Sequence, residues 1–491
     1  MTDPLQLSLV MTIKRRSVRV LVALGLVIGS GVTSIALSSP DPGRAVAAAA
    51  LGAGGEYHAL APQRVLDTRS AINDPVLPGP KALIPGAGQA FEVQLLGQGG
   101  LPAAAAAADV LAVAVNITVV SPTQQGYLRV FGKGAAEGDS SLVNFQAAQN
   151  VPNMAIVRPG AEGKIAIRLI SEGAAGTADV LIDVFGWFST SSYGTRGARL
   201  IPVGPGRVYD SRNPSSGTPD PVTALEVVTV PIRGADSLNP AVTDIVPNSP
   251  SVVGALVNVT GVNNRSGSQP TFVSVVPETP IAGQWPTTSN LNLRAGQIKP
   301  NLVLVPVGAD GAIRLFNERG SVDLVVDIVG YLVNGAAVDT AAGRVVPLTS
   351  PFRVLDTRQP AFGSVSLAPG KAEDWSFKEF VNDVRIGGVP VGNQSALLGN
   401  FTATALERPA GWFTPVDTFM TAFPTPAGAS GPPPEASNLN LVENESVPNM
   451  ALLKYGPVGD ATDPYRVRVY NYNGFVHYLV DVSAVVLADP V

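Results

Sequence analysis

The 491-residue sequence has no cysteine, only two histidines and 14 % charged residues. Without cysteine there is no disulfide scaffold and no thiolate metal site, and His58 and His477 alone cannot build an imidazole cluster for zinc, copper or haem. No cofactor and no metal are therefore expected. The net charge is -5 and no basic stripe interrupts the chain, which argues against a polyanion surface and so against nucleic acid as a partner. Helical patterning is also scarce: the alanine run from Ala103 to Ala108 is the single helical stretch in view. Stability has to come from ordinary hydrophobic cores.

What the chain does have is one phrase written three times. Arg64-Val65-Leu66-Asp67-Thr68-Arg69 returns as Arg207-Val208-Tyr209-Asp210-Ser211-Arg212 and as Arg353-Val354-Leu355-Asp356-Thr357-Arg358. An Asn-x-Thr strand follows at steps of 142 residues (Asn116, Asn258, Asn400) and a Pro-Asn pair at steps of 148 (Asn153, Asn301, Asn449). A closing strand then carries Asp183, Asp327 or Asp481. Periods of this length exceed the usual solenoid repeat and mark three complete domains. Apolar residues alternate with period 2 and are rich in β-branched types, as in Val113 to Val120 and Ala255 to Thr260, so the segments are strands. With 51 Gly and 43 Pro, turns are abundant. The fold class expected is all-β: three tandem antiparallel β-sandwich, jelly-roll-like domains spanning 56–188, 199–333 and 345–491. A single propeller or trefoil built from all three repeats is the alternative, disfavoured by repeat length. The linkers, Ser189 to Arg199 and Asn334 to Gly343, are short enough to predict a semi-rigid rod of three beads whose modules fold independently.

Residues 1–47 read as an export signal. Lys14, Arg15, Arg16 and Arg19 precede the apolar run Val20 to Ile28, and Ala45-Val46-Ala47 supplies an A-x-A cleavage motif, so the mature chain is expected to start near Ala48. A retained anchor is the competing reading, in which the membrane is met only through this uncleaved segment. Secretion or display at the cell surface follows from either.

The set Arg-Val-Leu-Asp-Thr-Arg, Asn-x-Thr, Ser-Asn-Leu-Asn (Ser289 to Asn292, Ser437 to Asn440), Pro-Asn and Val-Asp-Ile-Val-Gly-Tyr (Val326 to Tyr331) resembles a secreted β-rich repeat of actinobacterial extracellular proteins. The resemblance covers essentially all of the mature chain. It implies an extracellular accessory or surface role and supplies no catalytic residues. Module 1 departs from it with Ser141-Leu142-Val143-Asn144, and module 3 by ending Asp481-Val482-Ser483-Ala484.

The candidate site residues fall into three groups. In the first, Asp67 with Arg69, Asp210 with Arg212 and Asp356 with Arg358 stand two apart, so on a strand each pair shares a face while Arg64, Arg207 and Arg353 point the other way. A carboxylate held beside arginine keeps a low pKa and makes a poor general base, so these pairs are read as structural. Asp179 and Asp183 lie four apart on one strand, about 13 Å, too far to share an ion. A cation site across strands, for instance between Asp67 and Asp183, is the geometry left open. In the second group, Asn116, Asn258 and Asn400 are read as strand residues satisfied by adjacent backbone, and Asn153, Asn301 and Asn449 as turn residues.

The third group is aromatic: Tyr127, Trp187, Phe188, Trp285, Tyr331, Trp375, Trp412, Phe413, Tyr470 and Tyr472 offer flat apolar faces of the kind sugars stack on. Trp285, Trp375 and Trp412 have no counterparts in the other modules and are the expected exposed ligand contacts. Neither histidine recurs and no Gly-x-Ser-x-Gly elbow is present, so a nucleophilic triad is not expected. The function expected is that of a non-enzymatic exported protein for adhesion, wall association or glycan binding, its partner a cell-wall glycan or other surface polymer. A self-associating structural subunit, or a hydrolase with an unrecognised carboxylate pair, are the alternatives.

Overall fold

Alternation fails where the strands matter most. All eleven residues of Val110–Val120 are buried, and so is nearly all of Val252–Asn263. A strand hidden on both faces must lie between two apolar layers. One layer is the second sheet of its own sandwich. The other is supplied by the neighbouring modules.

The computed structural model describes residues 10–11, 53–69, 90–172, 176–213, 220–386, 389–391, 393–412, 416–429, 432–457, 460 and 462–489. The signal segment expected over 1–47 lies outside the described residues except for Val10 and Met11, as does Phe413. Module 1 has eight strands: Tyr57–Asp67, Phe91–Gln94, Val110–Val120, Gly126–Gly132, Val143–Phe145, Val151–Val157, Lys164–Ser171 and Asp179–Ser189. They form two antiparallel four-stranded layers in the order first-eighth-third-sixth and second-seventh-fourth-fifth. That order is the jelly roll. Modules 2 and 3 repeat it, their first strands being Ala198–Asp210 and Val345–Asp356 and their eighth Asp323–Asn334 and Phe475–Leu487. Module 3 adds a short helix, Lys378–Asp383, between its second and third strands. The alanine run forms a 3-10 helix, Ala104–Asp109.

Each sandwich has its own core, with Ile117, Ile182 and Leu128 in the first, Val257, Ile328 and Leu315 in the second, and Phe401, Val480 and Met420 in the third. A fourth core belongs to all three modules. Leu111, Ala114, Met154 and Ile156 of module 1 meet Leu256, Leu302, Leu304 and Leu332 of module 2 and Leu398, Met450, Leu452 and Val486 of module 3. These residues project from the first-layer strands on the side away from the sandwich interior, so the three first layers face one another. The approach is close: a Cβ added to Gly330 would lie 2.9 Å from the Leu452 side chain of the next module. The rod of beads is therefore corrected. The modules close into a ring around a shared apolar centre, because their inner sheets are apolar on both faces and cannot be left in water.

The chain also stitches the ring at its module starts. Ala198 pairs with Tyr57, which fuses the first layers of modules 1 and 2 into one eight-stranded sheet. Gly55 and Val345 exchange backbone hydrogen bonds of 2.9 and 3.0 Å, joining module 1 to module 3.

Candidate functional site

The recurring polar residues build the ring. Asn153, Asn301 and Asn449 lie within strands, not in turns as the Pro-Asn spacing predicts. Each donates to a carbonyl of its own module, Leu142, Asn290 or Asn438 respectively, at 2.7 to 2.8 Å. Each also donates to an Asn of the next module: Asn301 to Asn116 at 3.1 Å, Asn449 to Asn258 at 2.8 Å and Asn153 to Asn400 at 2.9 Å. Its own Oδ1 accepts the backbone N–H of Met154 on Asn301, Leu302 on Asn449 and Met450 on Asn153. The circle is completed by Asn116, Asn258 and Asn400, which donate to the carbonyls of Ser289, Ser437 and Ser141 in the adjoining module. So the Asn-x-Thr residues are satisfied chiefly across an interface and not by adjacent backbone, although Asn116 and Asn400 also reach the hydroxyls of their own Thr118 and Thr402 at 3.4 and 3.5 Å. The departure of module 1 at Leu142 is harmless, because the ring uses the carbonyl there and no side chain.

The Arg-Asp phrase forms a closed ion-paired turn in each module, with a geometry different from the one strand alternation predicts. The strand ends at Asp67, whose Oδ1 accepts the Arg69 backbone N–H at 3.0 Å while its carboxylate takes Arg69 Nε and Nη2 at 3.0 and 2.8 Å. Asp210 and Asp356 repeat this turn with Arg212 and Arg358. Arg64 does not point to the opposite face. The register shifts between Arg64 and Leu66, a bulge that brings Arg64 onto Asp183 in two hydrogen bonds of 2.9 and 3.1 Å and within 3.6 Å of Asp67. The guanidinium stands between Asp67 and Asp183, so the cation site imagined there is filled by the protein's own charge. Burial opposes ionisation of Asp67, Asp210 and Asp356, but the hydrogen bonds and charge of the adjacent arginines outweigh it and hold these carboxyls below their usual range. Burial dominates at Asp183, Asp327 and Asp481 and pushes them up. Replacing Asp210 by Ala is expected to lower stability by about 1 to 3 kcal/mol, because it strands Arg212 and part of Arg207 in a half-buried site; equilibrium denaturation of the full chain measures it.

With those residues assigned to the fold, the outward faces of the second layers remain. The three expected tryptophans part company here. Trp375 is a core residue, 3 % exposed, donating Nε1–H to the Tyr478 hydroxyl at 2.6 Å, so its exposure is corrected: the strand Lys371–Ser376 turns it inward. Trp285 lies flat on Phe316, ring centres 5.1 Å apart and planes 12° from parallel. Trp412 is 47 % exposed in the loop after Gln394–Glu407.

The feature that single-residue inspection misses is a cluster on module 3. Phe419, on Asp417–Pro424, stacks on Tyr472 with centroids 4.8 Å apart and planes at 17°, and leans on Tyr470 at 6.1 Å. The Tyr472 backbone N–H bonds to the Phe419 carbonyl at 3.1 Å, which fixes the stack, and Tyr472 is 56 % exposed. The legible signal is Tyr470-x-Tyr472, two aromatics at strand spacing; Phe419 comes from a different strand and carries no such mark.

Phe419 and Tyr472 form one wall of a cleft of about 350 Å³ between modules 2 and 3. Asn264, Gln297 and Lys299 of module 2 line the other, with Asp417, Asn440 and Glu445 from module 3. Lys299 Nζ lies 2.7 Å from Glu445, which leaves Asp417 as the uncompensated charge in the lining. The ring thus places a stacked aromatic pair beside amide and carboxylate groups, an arrangement suited to a ring-containing, hydroxyl-rich ligand.

No protein-family model matches this chain, and no curated protein matches it. Among solved structures it is similar to the tandem CBM22-1-CBM22-2 domain of Xyn10C from Paenibacillus barcinonensis, with 14 % identity, 46 % of this chain and 79 % of that one covered, and a TM-score of 0.14. It is also similar to a structure described by its triple jelly roll fold and turret assembly in an archaeal virus, with 10 % identity, 87 % and 90 % coverage, and a TM-score of 0.13. Superpositions this loose carry no argument; the jelly-roll assignment rests on the strand order.

Proposed function

We propose that the protein is an exported, non-enzymatic, glycan-binding surface protein whose three-module ring presents one binding face, the Phe419, Tyr470 and Tyr472 platform with its adjoining cleft. The observation that carries this reading is the stack of half-buried Phe419 and exposed Tyr472 along a largely apolar cleft edged by amide and carboxylate groups. Large exposed aromatics fixed by backbone bonds on a sheet are pre-organised, so a ligand binds without ordering a loop. Asp417 beside the neutralised Lys299–Glu445 pair favours neutral or amino sugars over acidic polymers.

Support for a non-enzymatic role comes from the carboxylates. Among the described residues, the buried Asp67, Asp183, Asp210, Asp323, Asp327, Asp356, Asp374 and Asp481 all engage arginine. Glu373, which burial pushes up, accepts a hydrogen bond from the Tyr478 hydroxyl at 2.8 Å. A glycosidase needs two carboxyl groups across one scissile bond.

The test is an array of neutral, amino and acidic oligosaccharides, followed by titration of the best ligand. Tyr472→Ala is expected to weaken binding about tenfold or more, as for loss of a central aromatic anchor, with an unchanged melting temperature because the ring is exposed. Equal affinity in the variant would remove the platform from the site. An array with no retained ligand, together with concentration-dependent size, would instead favour the self-assembling subunit.

A further inference from the structure

The second layers of the three modules are in the same register. Leu128 pairs with Leu169, Val273 with Asn317 and Met420 with Asn471, and the first residue of each pair points into its own sandwich core. The positions flanking them therefore correspond on the outward face. Tyr127, Phe272 and Phe419 occupy one place, Arg168, Phe316 and Tyr470 the second, and Ile170, Glu318 and Tyr472 the third.

Each module treats this place differently. In module 1 the Arg129 guanidinium lies 5.5 Å above the Tyr127 ring, and Arg168 is held by Glu137 at 2.7 Å. In module 3 Tyr472 is exposed and Phe419 and Tyr470 are half-buried, with no ring lying over them as Trp285 lies over Phe316 among the described residues. In module 2 the pair Phe272 and Phe316 is aromatic like Phe419 and Tyr470, with centroids 6.3 Å apart, yet Phe316 is wholly buried because Trp285 covers it.

The indole lies on Phe316 in the geometry of a stacked ligand ring. It is carried by the loop between Thr271–Val276 and Leu291–Leu293, and that loop is tied at its ends. Pro277 accepts from Arg314, Glu278 accepts from the Ala309 backbone, and Thr288 accepts from Ser274. Between those ends the hydrogen bonding among described residues reduces to Gln284 N–H donating to the Ile281 carbonyl at 2.8 Å. Gly283 adopts a φ of +84° in this turn, and Ile281 beside it is 67 % exposed. Trp285 is thus the main attachment of the loop to the sheet.

We infer that module 2 carries a second glycan-binding surface, built on Phe272 and Phe316 with the Arg319-paired Glu318 where module 3 has Tyr472, and occupied by the chain's own Trp285, which stands in for the sugar ring. This rests on the glycan reading of the module 3 platform and adds to it a latent site that opens when the loop lifts. The ligand class is the same, a neutral oligosaccharide with flat pyranose faces, since Phe272 and Phe316 supply apolar surface and the nearby Arg314 is already paired with Asp310.

The experiment compares the wild type, Trp285→Ala, Tyr472→Ala and the double variant by calorimetric titration with a β-1,4-linked glucose hexamer. At hexamer concentrations that saturate the wild type but leave a closed site, or one weakened about tenfold, unfilled, the expected stoichiometries are one, two, none and one, each variant first shown to keep the wild-type circular dichroism; the closed site in Tyr472→Ala fills only in large excess. Wild type and Trp285→Ala both at one site would overturn the latent site while leaving module 3 intact. No binding by the wild type with one site in Trp285→Ala would do the reverse. No binding by any protein sinks both. If Trp285→Ala fails to fold, the protein labelled with 5-fluorotryptophan decides the matter: the Trp285 resonance, assigned by its absence in Trp285→Phe, must move when Tyr472→Ala is exposed to excess hexamer, and a fixed resonance rejects displacement.

Discussion

Arg199→Ala is expected to cost about 3 kcal/mol, the low end of the range for removing one partner of a buried ion pair, because Glu56 keeps the half-exposed Arg196 at 3.3 Å. Arg199 is 0 % exposed. Its Nε donates to Glu56 Oε1 at 3.0 Å, and its Nη1 donates to the carbonyls of Thr340 and Ala342 at 2.8 and 2.9 Å. Glu56 in turn accepts the Gly197 backbone N–H through Oε2 at 2.6 Å. One guanidinium therefore binds the start of module 1, the first strand of module 2 and the linker into module 3. Burial lowers the pKa of Arg199, yet arginine stays charged at any working pH. Glu56, Arg199 and Val345 stand eight residues before Arg64, Arg207 and Arg353, so one place in the repeat holds an acid, a base and an apolar residue. A ring of three identical modules could not form this latch. It fixes which module sits beside which, and changing both partners to Leu is expected to recover most of the loss, since well-packed apolar pairs replace buried ion pairs at little penalty. Denaturant midpoints of the single and double variants measure this; a loss under about 1 kcal/mol for Arg199→Ala would mean that water already reaches the pair.

Much of the module was legible and the ring was not, for identifiable reasons. The jelly roll followed from period-2 segments punctuated by Gly and Pro, which are local signals. The ring depends on residues such as Ala112, Ala114 and Ala155, whose strands carry apolar residues at successive positions and so on both faces; that continuity marks two buried faces, but periodicity alone does not say what lies against the second. Asn153 after Pro152 has the composition of a turn, and only its place beside Asn400, 247 residues away, shows it to be an interface donor. At Arg64 a one-residue bulge reversed the face expected from strict alternation. The candidate site was half visible, through Tyr470 and Tyr472, because strand spacing puts them together. Trp375 misled for the opposite reason: absence from the other modules signals variation, and variation occurs in cores as well as on surfaces.

Ending the chain at Gly343 is expected to destroy the fold of what remains, and the intact ring is expected to melt in one transition. Removing module 3 takes Val345, Ala396, Leu398, Met450, Leu452, Ala484 and Val486 out of the shared core. At about 1.5 to 3 kcal/mol for each large apolar side chain returned to water, the loss is on the order of 10 kcal/mol, comparable to the whole stability of an ordinary domain. The polar ring adds to it. Asn153 loses the Asn400 acceptor and Asn258 loses both the Ser437 carbonyl and the Asn449 donor, all within surfaces that were dry. Modules tied only by linkers would behave otherwise, since each sandwich keeps its own interior. Calorimetry separates the two: one peak with matching calorimetric and van't Hoff enthalpies is expected for the ring, three resolved peaks for independent beads. The fragment should aggregate alone and regain a wild-type melting temperature when residues 344–491 are supplied in trans, because module 3 meets its neighbours through non-covalent contacts: the shared core, the Asn153, Asn400 and Met450 bonds and the Gly55–Val345 bridge. A soluble, monomeric fragment with an unchanged melting temperature would show that the central core contributes packing without stability.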